Sequence, residues 1–326
     1  MRCLEYLSNG AAWDVIGQIE RPTPEPAGNE VIVALEAAPV HIADLKAIEG
    51  GLAFIPQGPG TPGFEGVGRI IECGAHVDGW KVGDRVILPL AYGAWREHRA
   101  VAAQDLWHAP DHVPAEQLAL VRINLTTAWL LLNAYVDLQP GDWIIQNAAN
   151  SNVTGYTAAL AASCGIGMID LVRRPELIQP LKESGRIHVA LDTREAIAAI
   201  CEKLGARPRL SLDAIGGDAT ARLGNVTADN GLVLAYGFLS EQPYQLDYPD
   251  AMFRNVRLEA MMIDRAVQKI GREGRDRMAE ALQSFIATEP LNAEIAAVYS
   301  FDQAPEALRH AARTGEARAG KIILVP

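Results

Sequence analysis

The chain has 326 residues, of which 49% are hydrophobic and 21% are charged, and its formal net charge is −11. This length exceeds one ordinary hydrophobic core and predicts two domains, and the composition is typical of a globular protein. The acidic balance disfavours nucleic acid and anionic membrane surfaces as partners, although it leaves room for a local basic pocket.

The amino terminus has no basic segment followed by a long apolar run, and no window approaches 18 unbroken apolar residues. We therefore expect neither a secretory signal nor a membrane span. The four cysteines are far apart and form no C-x-x-C pair, which is typical of a reduced, cytoplasmic protein without a disulfide framework.

The first 115 residues contain short strand-like stretches separated by Gly/Pro turns, and this pattern predicts a compact β domain. The predicted strands cover 30–40, 63–74, 82–90 and 94–101. The run at 50–63 is long for a connector, and long loops in compact domains often carry a site.

After residue 115 the pattern changes to apolar runs that alternate with helices. The predicted helices cover 115–138, 152–164, 175–184 and 194–204. Short buried strands interleaved with helices predict a doubly wound parallel sheet, which makes the fold class α/β. Residues 295–326 return to a strand, helix, strand pattern.

The stretch "QNAANSNVTGYTAALAASCG" has the context of a dinucleotide-binding turn, with an apolar strand before it and an Ala-rich helix after it. Ala148, Ser151 and Thr154 stand where such a turn usually has glycine. Small residues and good N-cap residues can still bring a helix N-terminus close to a pyrophosphate. The residues predicted to contact this group are Asn147, Ala148, Asn150, Ser151, Asn152 and Val153.

Two arginines, Arg173 and Arg174, follow the next predicted strand, about 20 residues beyond the turn, where the reader of the ribose 2′ position lies in such folds. An acidic residue there would suit NAD, whereas a guanidinium suits a 2′-phosphate. The sequence therefore favours NADPH as cofactor. Asp170 lies inside the strand and is predicted to have a packing role.

Together these features resemble the medium-chain dehydrogenase/reductase superfamily, and most closely its zinc-free quinone oxidoreductases and trans-2-enoyl-thioester reductases. The stretches that carry the resemblance are "GFEGVGRIIECGAHVDGWKVGDRVI", "GAWREH", "INLTTAWLLLNAYVDLQPGDWIIQNAANS" and "AGKIILVP". The resemblance implies a GroES-like β domain, residues 1–117 completed by 292–326, and a Rossmann-type NADP(H)-binding domain, residues 118–291.

The superfamily's alcohol dehydrogenases bind catalytic zinc through a Cys, a His and a third ligand. In this chain His41 stands at the first position, Phe64 stands at the second, and no Cys lies near the third. One imidazole cannot complete such a site, so no metal is expected.

The zinc-free reductases carry an Asn-x-x-Asp stretch and a downstream Tyr that protonates or orients the substrate. Here His41 replaces the Asn, Asp44 is kept, and Leu52 stands where the Tyr is expected. Leucine has no proton to give. The resemblance therefore leaves His41, Asp44 and Tyr92 as the candidate catalytic residues, with His41 either donating a proton or only forming hydrogen bonds.

The resemblance also implies cofactor contacts outside the turn. They are Thr127 on the helix that borders the nicotinamide, Tyr236, Gly237 and Phe238 after the fifth strand, and Lys321 in the terminal Gly-Lys-Ile.

The sequence thus predicts an NADPH-dependent oxidoreductase that transfers hydride to a quinone or to an activated C=C bond of a small hydrophobic electrophile. A homodimer is expected by analogy with relatives. Two alternatives stay open: a zinc-free carbonyl or alcohol dehydrogenase, and a non-catalytic nucleotide-binding protein on the same fold.

Overall fold

The computed structural model describes residues 1–52, 54–55, 57–313 and 320–326. The chain divides into two compact units, which are Met1–Ile123 with Gln283–Pro326 (unit 1) and Asn124–Leu282 (unit 2). The borders predicted from the sequence, 117/118 and 291/292, lie a few residues away and stay predictions.

Strands dominate the first part of the chain, and from Trp143 onward strands alternate with helices. In chain order, the strands are β1 (Arg2–Tyr6), β2 (Ile16–Glu20), β3 (Glu30–Val40), β4 (Val67–Cys73), β5 (Arg85–Ile87), β6 (His98–Ala102), β7 (Trp107–His108), β8 (Trp143–Gln146), β9 (Gly167–Val172), β10 (His188–Leu191), β11 (Leu210–Asp213), β12 (Leu232–Ala235), β13 (Arg257–Ala260), β14 (Ile295–Ser300) and β15 (Lys321–Val325). The α-helices are α1 (Ala12–Val15), α2 (Ile42–Ile48), α3 (Ala115–Leu118), α4 (Val121–Asn133), α5 (Asn152–Ser163), α6 (Ile178–Glu183), α7 (Arg194–Leu204), α8 (Asp218–Val226), α9 (Tyr248–Phe253), α10 (Ile263–Lys269), α11 (Gly271–Thr288) and α12 (Ala304–Ala311).

Unit 1 is built on a mostly antiparallel sheet of seven strands in the order β14-β15-β3-β4-β5-β7, with β6 also paired to β3. The carboxyl-terminal strand β15 joins this sheet by pairing antiparallel to β3. The core of this unit contains the fully buried side chains of Tyr6, Trp95 and Phe301. The end of the chain therefore completes the first domain, because its strand shares one sheet and one core with the amino-terminal residues.

Unit 2 is built on a six-stranded parallel sheet in the order β10-β9-β8-β11-β12-β13. Counted from β8, this order is 3-2-1-4-5-6, the order of the Rossmann fold. Every residue of β11 and β12 is buried, as expected for parallel strands that helices cover on both faces. The predicted fold class, a GroES-like β domain plus a doubly wound Rossmann domain, is confirmed.

Most predicted elements are present, with differences at their ends. The helix predicted over 115–138 is two helices, α3 and α4, and the chain after Asn133 is not helical. The strand predicted over 94–101 begins only at His98, because the residues before it bond to β1: the Leu4 N–H donates to the Trp95 carbonyl, and the Glu97 N–H donates to the Arg2 carbonyl. The helix predicted over 175–184 begins as a 3₁₀ turn before α6.

Candidate active site

A buried carboxylate, Glu65, lies between a histidine ring and a backbone amide in unit 1. Its Oε1 is 2.6 Å from Nε2 of His41, and its Oε2 accepts the backbone N–H of Ile123 at 2.9 Å. The Glu65 side chain is fully buried, and the His41 side chain is 10% exposed. Because a carboxylate that loses its water needs other donors, these two contacts explain how Glu65 is tolerated inside the protein.

The imidazole of His41 also contacts α2, which begins directly after it. The Asp44 carboxylate accepts the backbone N–H of His41 at 2.7 Å, and the His41 side chain accepts the backbone N–H of Asp44, which completes a capping box. Both ring nitrogens therefore have partners inside the protein.

Asp44 is a fully buried carboxylate at the first turn of α2. Its Oδ1 has no hydrogen-bond partner among the residues that the structure describes. Burial raises the pKa of Asp44 to about 7, although the neighbouring His41 opposes this rise. Asp44 therefore changes its protonation state near neutral pH, in direct contact with the segment that holds His41.

Tyr92, the third predicted catalytic residue, lies in the same unit. Its hydroxyl donates to the hydroxyl of Tyr6 at 3.2 Å, and its ring packs against Phe64 with the centroids 5.1 Å apart. Burial and the hydrogen bond with Tyr6 raise the pKa of Tyr92 well above its usual value. Tyr92 therefore keeps its proton at neutral pH and donates it to Tyr6, so a substrate would have to replace Tyr6 as acceptor to receive this hydrogen bond; Leu52 has no O–H to donate.

No group of three His, Cys, Asp or Glu side chains among the described residues could bind a metal ion. Phe64, which stands at the position of the second zinc ligand in the alcohol dehydrogenases, packs against Tyr92 instead. The zinc-free prediction rests on this replacement of a ligand by an apolar ring.

In unit 2, β8 leads into α5 through a tight turn that is formed without glycine. Ala148 has a φ of +50°, in the left-handed region that glycine usually occupies. Ser151 is the N-cap of α5, and its Oγ accepts the backbone N–H of Thr154 at 3.3 Å. Thr154 is fully buried, and its hydroxyl donates to the Ser151 carbonyl at 2.7 Å. Side-chain hydrogen bonds therefore stabilise a turn that glycine would form by conformational freedom alone.

The amino terminus of α5 has the chemistry that a pyrophosphate needs. The first N–H groups of a helix lack intrahelical acceptors, and the helix dipole favours an anion there. Nδ2 of Asn152 is buried and makes no hydrogen bond within the described part of the chain. Asn150 is exposed beside it, and Val153 follows in the first turn. This unused donor at a helix N-terminus fits a bound phosphate oxygen.

Asn147, in contrast, uses its side chain within the protein. Its Nδ2 donates to Oδ1 of Asp213 at 2.6 Å, and its Oδ1 accepts the backbone N–H of Ala214 at 2.8 Å. Asp213 also accepts from the backbone N–H groups of Ile215 and Gly216. These bonds join the turns that follow β8 and β11, so Asn147 shapes this edge of the sheet with its side chain.

The residues after β12 lie at the same edge, because the carboxyl ends of parallel strands share one edge of a sheet. Tyr236 follows the last residue of β12, and Phe238 is 48% exposed. A Cβ at Gly237 would lie 2.7 Å from the carbonyl oxygen of Ala214. Only glycine allows this close approach, which keeps the backbone next to the turn after β11.

The two arginines also lie at this edge, because they directly follow β9. Arg173 is exposed and forms no ion pair with any described residue, whereas Nε of Arg174 is 3.6 Å from Oε1 of Glu176. A free guanidinium beside the turn is available to a phosphate on the ribose. The edge formed by the turn, the end of β12 and these arginines therefore fits a phosphorylated dinucleotide.

Two predicted cofactor residues lie elsewhere in the two units. Thr127 is buried in α4, within unit 2. Lys321 is the first residue of β15, within unit 1, and its backbone N–H donates to the Glu294 carbonyl at 2.7 Å.

Sequence reasoning missed several polar residues that shape these sites. Glu65 was visible in "GFEG", but the comparison with the zinc enzymes directed attention to Phe64. Arg186 and Asp213 carry no motif of their own, and Gln146, although it opens the quoted turn stretch, had no predicted role. Their partners come from other strands, so spacing along the chain does not reveal them.

The comparisons with known proteins agree with this geometry. Residues 27–111 match the family model of the alcohol dehydrogenase GroES-like domain. The mitochondrial enoyl-[acyl-carrier-protein] reductase of Xenopus tropicalis is 34% identical over 264 residues, 79% of this chain and 75% of the relative. The enzyme of that name from Dictyostelium discoideum is 31% identical over 313 residues, 94% of this chain and 89% of the relative. This chain belongs to the family of these enoyl reductases.

Solved structures extend the likeness to the whole fold. A mutant form of the enoyl thioester reductase from Candida tropicalis superposes with a TM-score of 0.84 at 25% identity, and the match covers 100% of this chain and 99% of the other. The predicted membership of the zinc-free branch of the medium-chain dehydrogenase/reductase superfamily is thus confirmed.

Proposed function

We propose that this chain is a zinc-independent, NADPH-dependent oxidoreductase that reduces the activated C=C bond of a trans-2-enoyl thioester. The single observation that carries this proposal is the 31% identity to an enoyl reductase over 94% of the chain. The sheet edge of unit 2 supports the cofactor, because it combines a helix N-terminus with Arg173, which is exposed and forms no ion pair with any residue that the structure describes.

When bound, NADPH supplies the hydride. The chain's own residues bind and orient the cofactor. The first turn of α5 would hold the pyrophosphate, and Arg173 and Arg174 would hold the 2′-phosphate. Gly237 keeps the backbone after β12 close to the turn after β11, which shapes the edge along which the riboses lie.

Reduction of an enoyl thioester also needs a proton at the α carbon, and among the residues that the structure describes none of the candidate groups is an exposed general acid: Asp44 titrates near neutral pH but is fully buried. Leu52 cannot supply a proton, His41 has partners at both ring nitrogens, and burial holds the proton on Tyr92. We infer that water delivers this proton and that the Tyr92 hydroxyl orients the substrate. The pair of His41 and Glu65 stabilises the segment that carries α2.

A quinone is the second candidate substrate, and Leu52 favours it. Hydride transfer to a quinone leaves a negative charge on oxygen, and oxygen takes a proton from water without a positioned acid. An enoyl thioester instead needs a proton on carbon, which benefits from a general acid. The absence of the expected Tyr therefore costs less in quinone reduction.

Steady-state assays separate these candidates. NADPH oxidation followed at constant enzyme concentration with a medium-chain trans-2-enoyl thioester, and separately with a small para-quinone, should show the higher kcat/KM for the thioester. Turnover of the quinone alone would assign the second function. Oxidation of an alcohol with NADP+ would indicate the zinc-free alcohol dehydrogenase, and binding without turnover of any of these substrates would indicate a non-catalytic protein.

The arginine pair makes a prediction about cofactor choice. Replacing both Arg173 and Arg174 by Ala should weaken NADPH binding by about 10- to 100-fold, because charge-assisted hydrogen bonds to a phosphate are lost. NADH binding should change less than about threefold, since NADH has no 2′-phosphate. Titrations followed by the fluorescence of the reduced nicotinamide measure both affinities.

The matched control for the arginine pair is Arg275→Ala, which removes an exposed charge from α11 without changing the edge of the sheet. An equal loss of NADPH and NADH affinity in the double variant would show that the arginines shape the site without contacting the 2′-phosphate.

A homodimer also belongs to this proposal. β13 is the last strand in the order of the parallel sheet, and α9, which precedes it, exposes Tyr248, Met252 and Phe253 to 69–75%. An open strand edge next to apolar side chains is suited to pairing with a second copy. Light scattering on the purified protein measures the oligomeric state.

The substrate class, a small hydrophobic electrophile, and the cytoplasmic location stay proposals. The curated relatives are named as mitochondrial enzymes. No helix of the described residues is long and apolar enough to cross a membrane. Fractionation of cells that express the native gene tests the location.

A further inference from the structure

A buried polar network lies directly behind the nucleotide-binding turn of unit 2. Nη1 of Arg186 donates to both carboxylate oxygens of Asp170, at 2.9 and 3.0 Å. Nε2 of Gln146 donates to Oδ1 of the same carboxylate at 2.7 Å. Asp170 lies in β9, Gln146 is the last residue of β8, and Arg186 lies just before β10. The network therefore connects three neighbouring strands of the sheet.

The same side chains hold the backbone of the turn. Nη2 of Arg186 donates to the carbonyl of Thr154 at 2.9 Å and to the carbonyl of Ala149 at 3.3 Å. Gln146 also donates to the Thr154 carbonyl, at 3.0 Å. One guanidinium thus contacts the turn before α5 and the first turn of that helix at once. A planar fork of donors is well suited to this task, and a lysine could not reproduce it.

The network occupies a place where the turn departs from the glycine pattern. Thr154, at the last glycine position, brings a buried side chain between helix and sheet. Its carbonyl is the acceptor shared by Arg186 and Gln146. Ala148 adopts a positive φ without the freedom of glycine. A turn of this kind needs bonds from outside to stay in one conformation.

The burial of these charges argues for a role beyond stability. The Asp170 and Arg186 side chains are 2% and 12% exposed. A buried ion pair usually contributes little net stability compared with apolar side chains of similar volume, because both charges lose their water. Such a pair does provide a fixed geometry. Here it fixes the position of the Arg186 guanidinium, which donates to the carbonyls of Ala149 and Thr154. Holding these carbonyls behind the turn keeps the N–H groups at the start of α5 directed to the sheet edge.

We propose that Arg186, held by Asp170, is a positioning residue for NADPH: it clamps the turn carbonyls so that the start of α5 is preorganised for the pyrophosphate. This inference rests on the proposed function, since it assumes that the edge of the sheet binds the cofactor. Arg186 itself lies behind the turn and acts through Ala149 and Thr154. Preorganisation lowers the cost of ordering the turn at the moment of binding.

Four variants of the full chain test the clamp. Arg186→Met removes the guanidinium and keeps a long side chain, but it leaves the buried Asp170 carboxylate without its partner. Asp170→Asn combined with Arg186→Met removes that carboxylate charge as well. Arg186→Lys keeps the charge and loses the fork. Arg254→Met is the matched control, because Arg254 pairs with Asp250 at 2.7 Å and donates to the Asn225 carbonyl at 3.0 Å in the same unit but contacts no residue of the turn.

We expect Arg186→Met to weaken NADPH binding at least tenfold and to raise KM for NADPH while kcat changes less than threefold. The double variant should recover thermal stability toward the wild type, yet its affinity should stay as weak as that of Arg186→Met. Arg186→Lys should recover only part of the affinity, and Arg254→Met should lower the melting temperature with affinity unchanged. If affinity follows melting temperature across all variants, the network is purely structural and the proposal is overturned.

Hydrogen exchange without cofactor separates this inference from the proposed function. Peptides that cover 147–158 should exchange faster in Arg186→Met than in the wild type, and they should not change in Arg254→Met. Unchanged exchange in those peptides would overturn the clamp even if the wild type binds NADPH. A wild type that binds no NADPH while Arg186→Met loosens the turn would instead overturn the proposed function.

Discussion

Replacing His41 by Ala should lower the free energy of unfolding by about 3–5 kcal/mol at neutral pH, the range for leaving a buried carboxylate without its partner. The reason is Glu65, which is fully buried and whose Oε1 lies 2.6 Å from Nε2 of His41. Without the imidazole, that oxygen would face a cavity, and the contact of the carboxylate with the Ile123 N–H would have to hold it alone among the described residues. Urea unfolding of both proteins, followed by fluorescence, measures the difference.

The substitution His41→Ala also distinguishes a structural role of His41 from a role as general acid. Because the ring nitrogens of His41 are occupied by Glu65 and by the backbone of Asp44, turnover by folded His41→Ala should fall less than tenfold. Loss of a general acid typically lowers the rate by about 10² to 10⁴. A fall of that size with little change in stability would identify His41 as the proton donor.

Adding Glu65→Gln to His41→Ala is the control for the unpaired charge. The amide is neutral and nearly the same size, so burying it alone costs less than burying an ionised carboxylate. The double variant should therefore regain part of the lost stability. No recovery would show that the loss comes from the cavity and not from the charge on Glu65.

Replacing Asp44 by Asn should stabilise the protein at pH 8 and leave its stability at pH 4 nearly unchanged. Burial raises the pKa of Asp44 from 3.8 to about 7 in the folded protein. Between these values the folded state holds a proton that the unfolded state has released, so the stability of the wild type falls as the pH rises through this window. A rise of this size corresponds to roughly 4 kcal/mol, which is fully lost above pH 7.

Asparagine carries no charge at either pH and can still accept the backbone N–H of His41 through its carbonyl oxygen. Its amide N–H groups need new partners, so roughly 4 kcal/mol is the upper limit of the gain at pH 8. Unfolding free energies of both proteins between pH 4 and pH 9 measure the effect. The exposed Asp78→Asn is the control, and a difference that does not depend on pH would contradict the buried-charge explanation.

Much of the Rossmann domain followed from local patterns. A four-residue apolar run such as β12 is buried throughout, and helix α8 before it has a clear face, so strand and helix identities needed no tertiary information here. α7 begins at Arg194 and ends at Leu204 as predicted, because Thr193 is its N-cap and Gly205 adopts a positive φ after it. Such signals lie within a few residues of the element that they end.

The side-chain contacts within the two sites were harder to predict from the sequence. The sequence drew attention to His41, Asp44 and Tyr92 one at a time, but their relevant partners, Glu65 and Tyr6, come from other segments of the chain. A residue type indicates which bonds a side chain can form, and only the fold indicates which of them are already used. The assignment of the site residues stays a prediction that the variants above test.

By itself, the sequence determined the fold class, the family and the position of the turn proposed to bind the nucleotide, because these depend on periodicity, spacing and motifs that are continuous along the chain. Only the tertiary structure decided that Glu65 contacts His41, that Asn147 bonds to Asp213, and that Arg186 donates to the Thr154 carbonyl. The physical reason is that buried polar groups must find partners, and these partners come from strands that are neighbours in the sheet but distant in the chain.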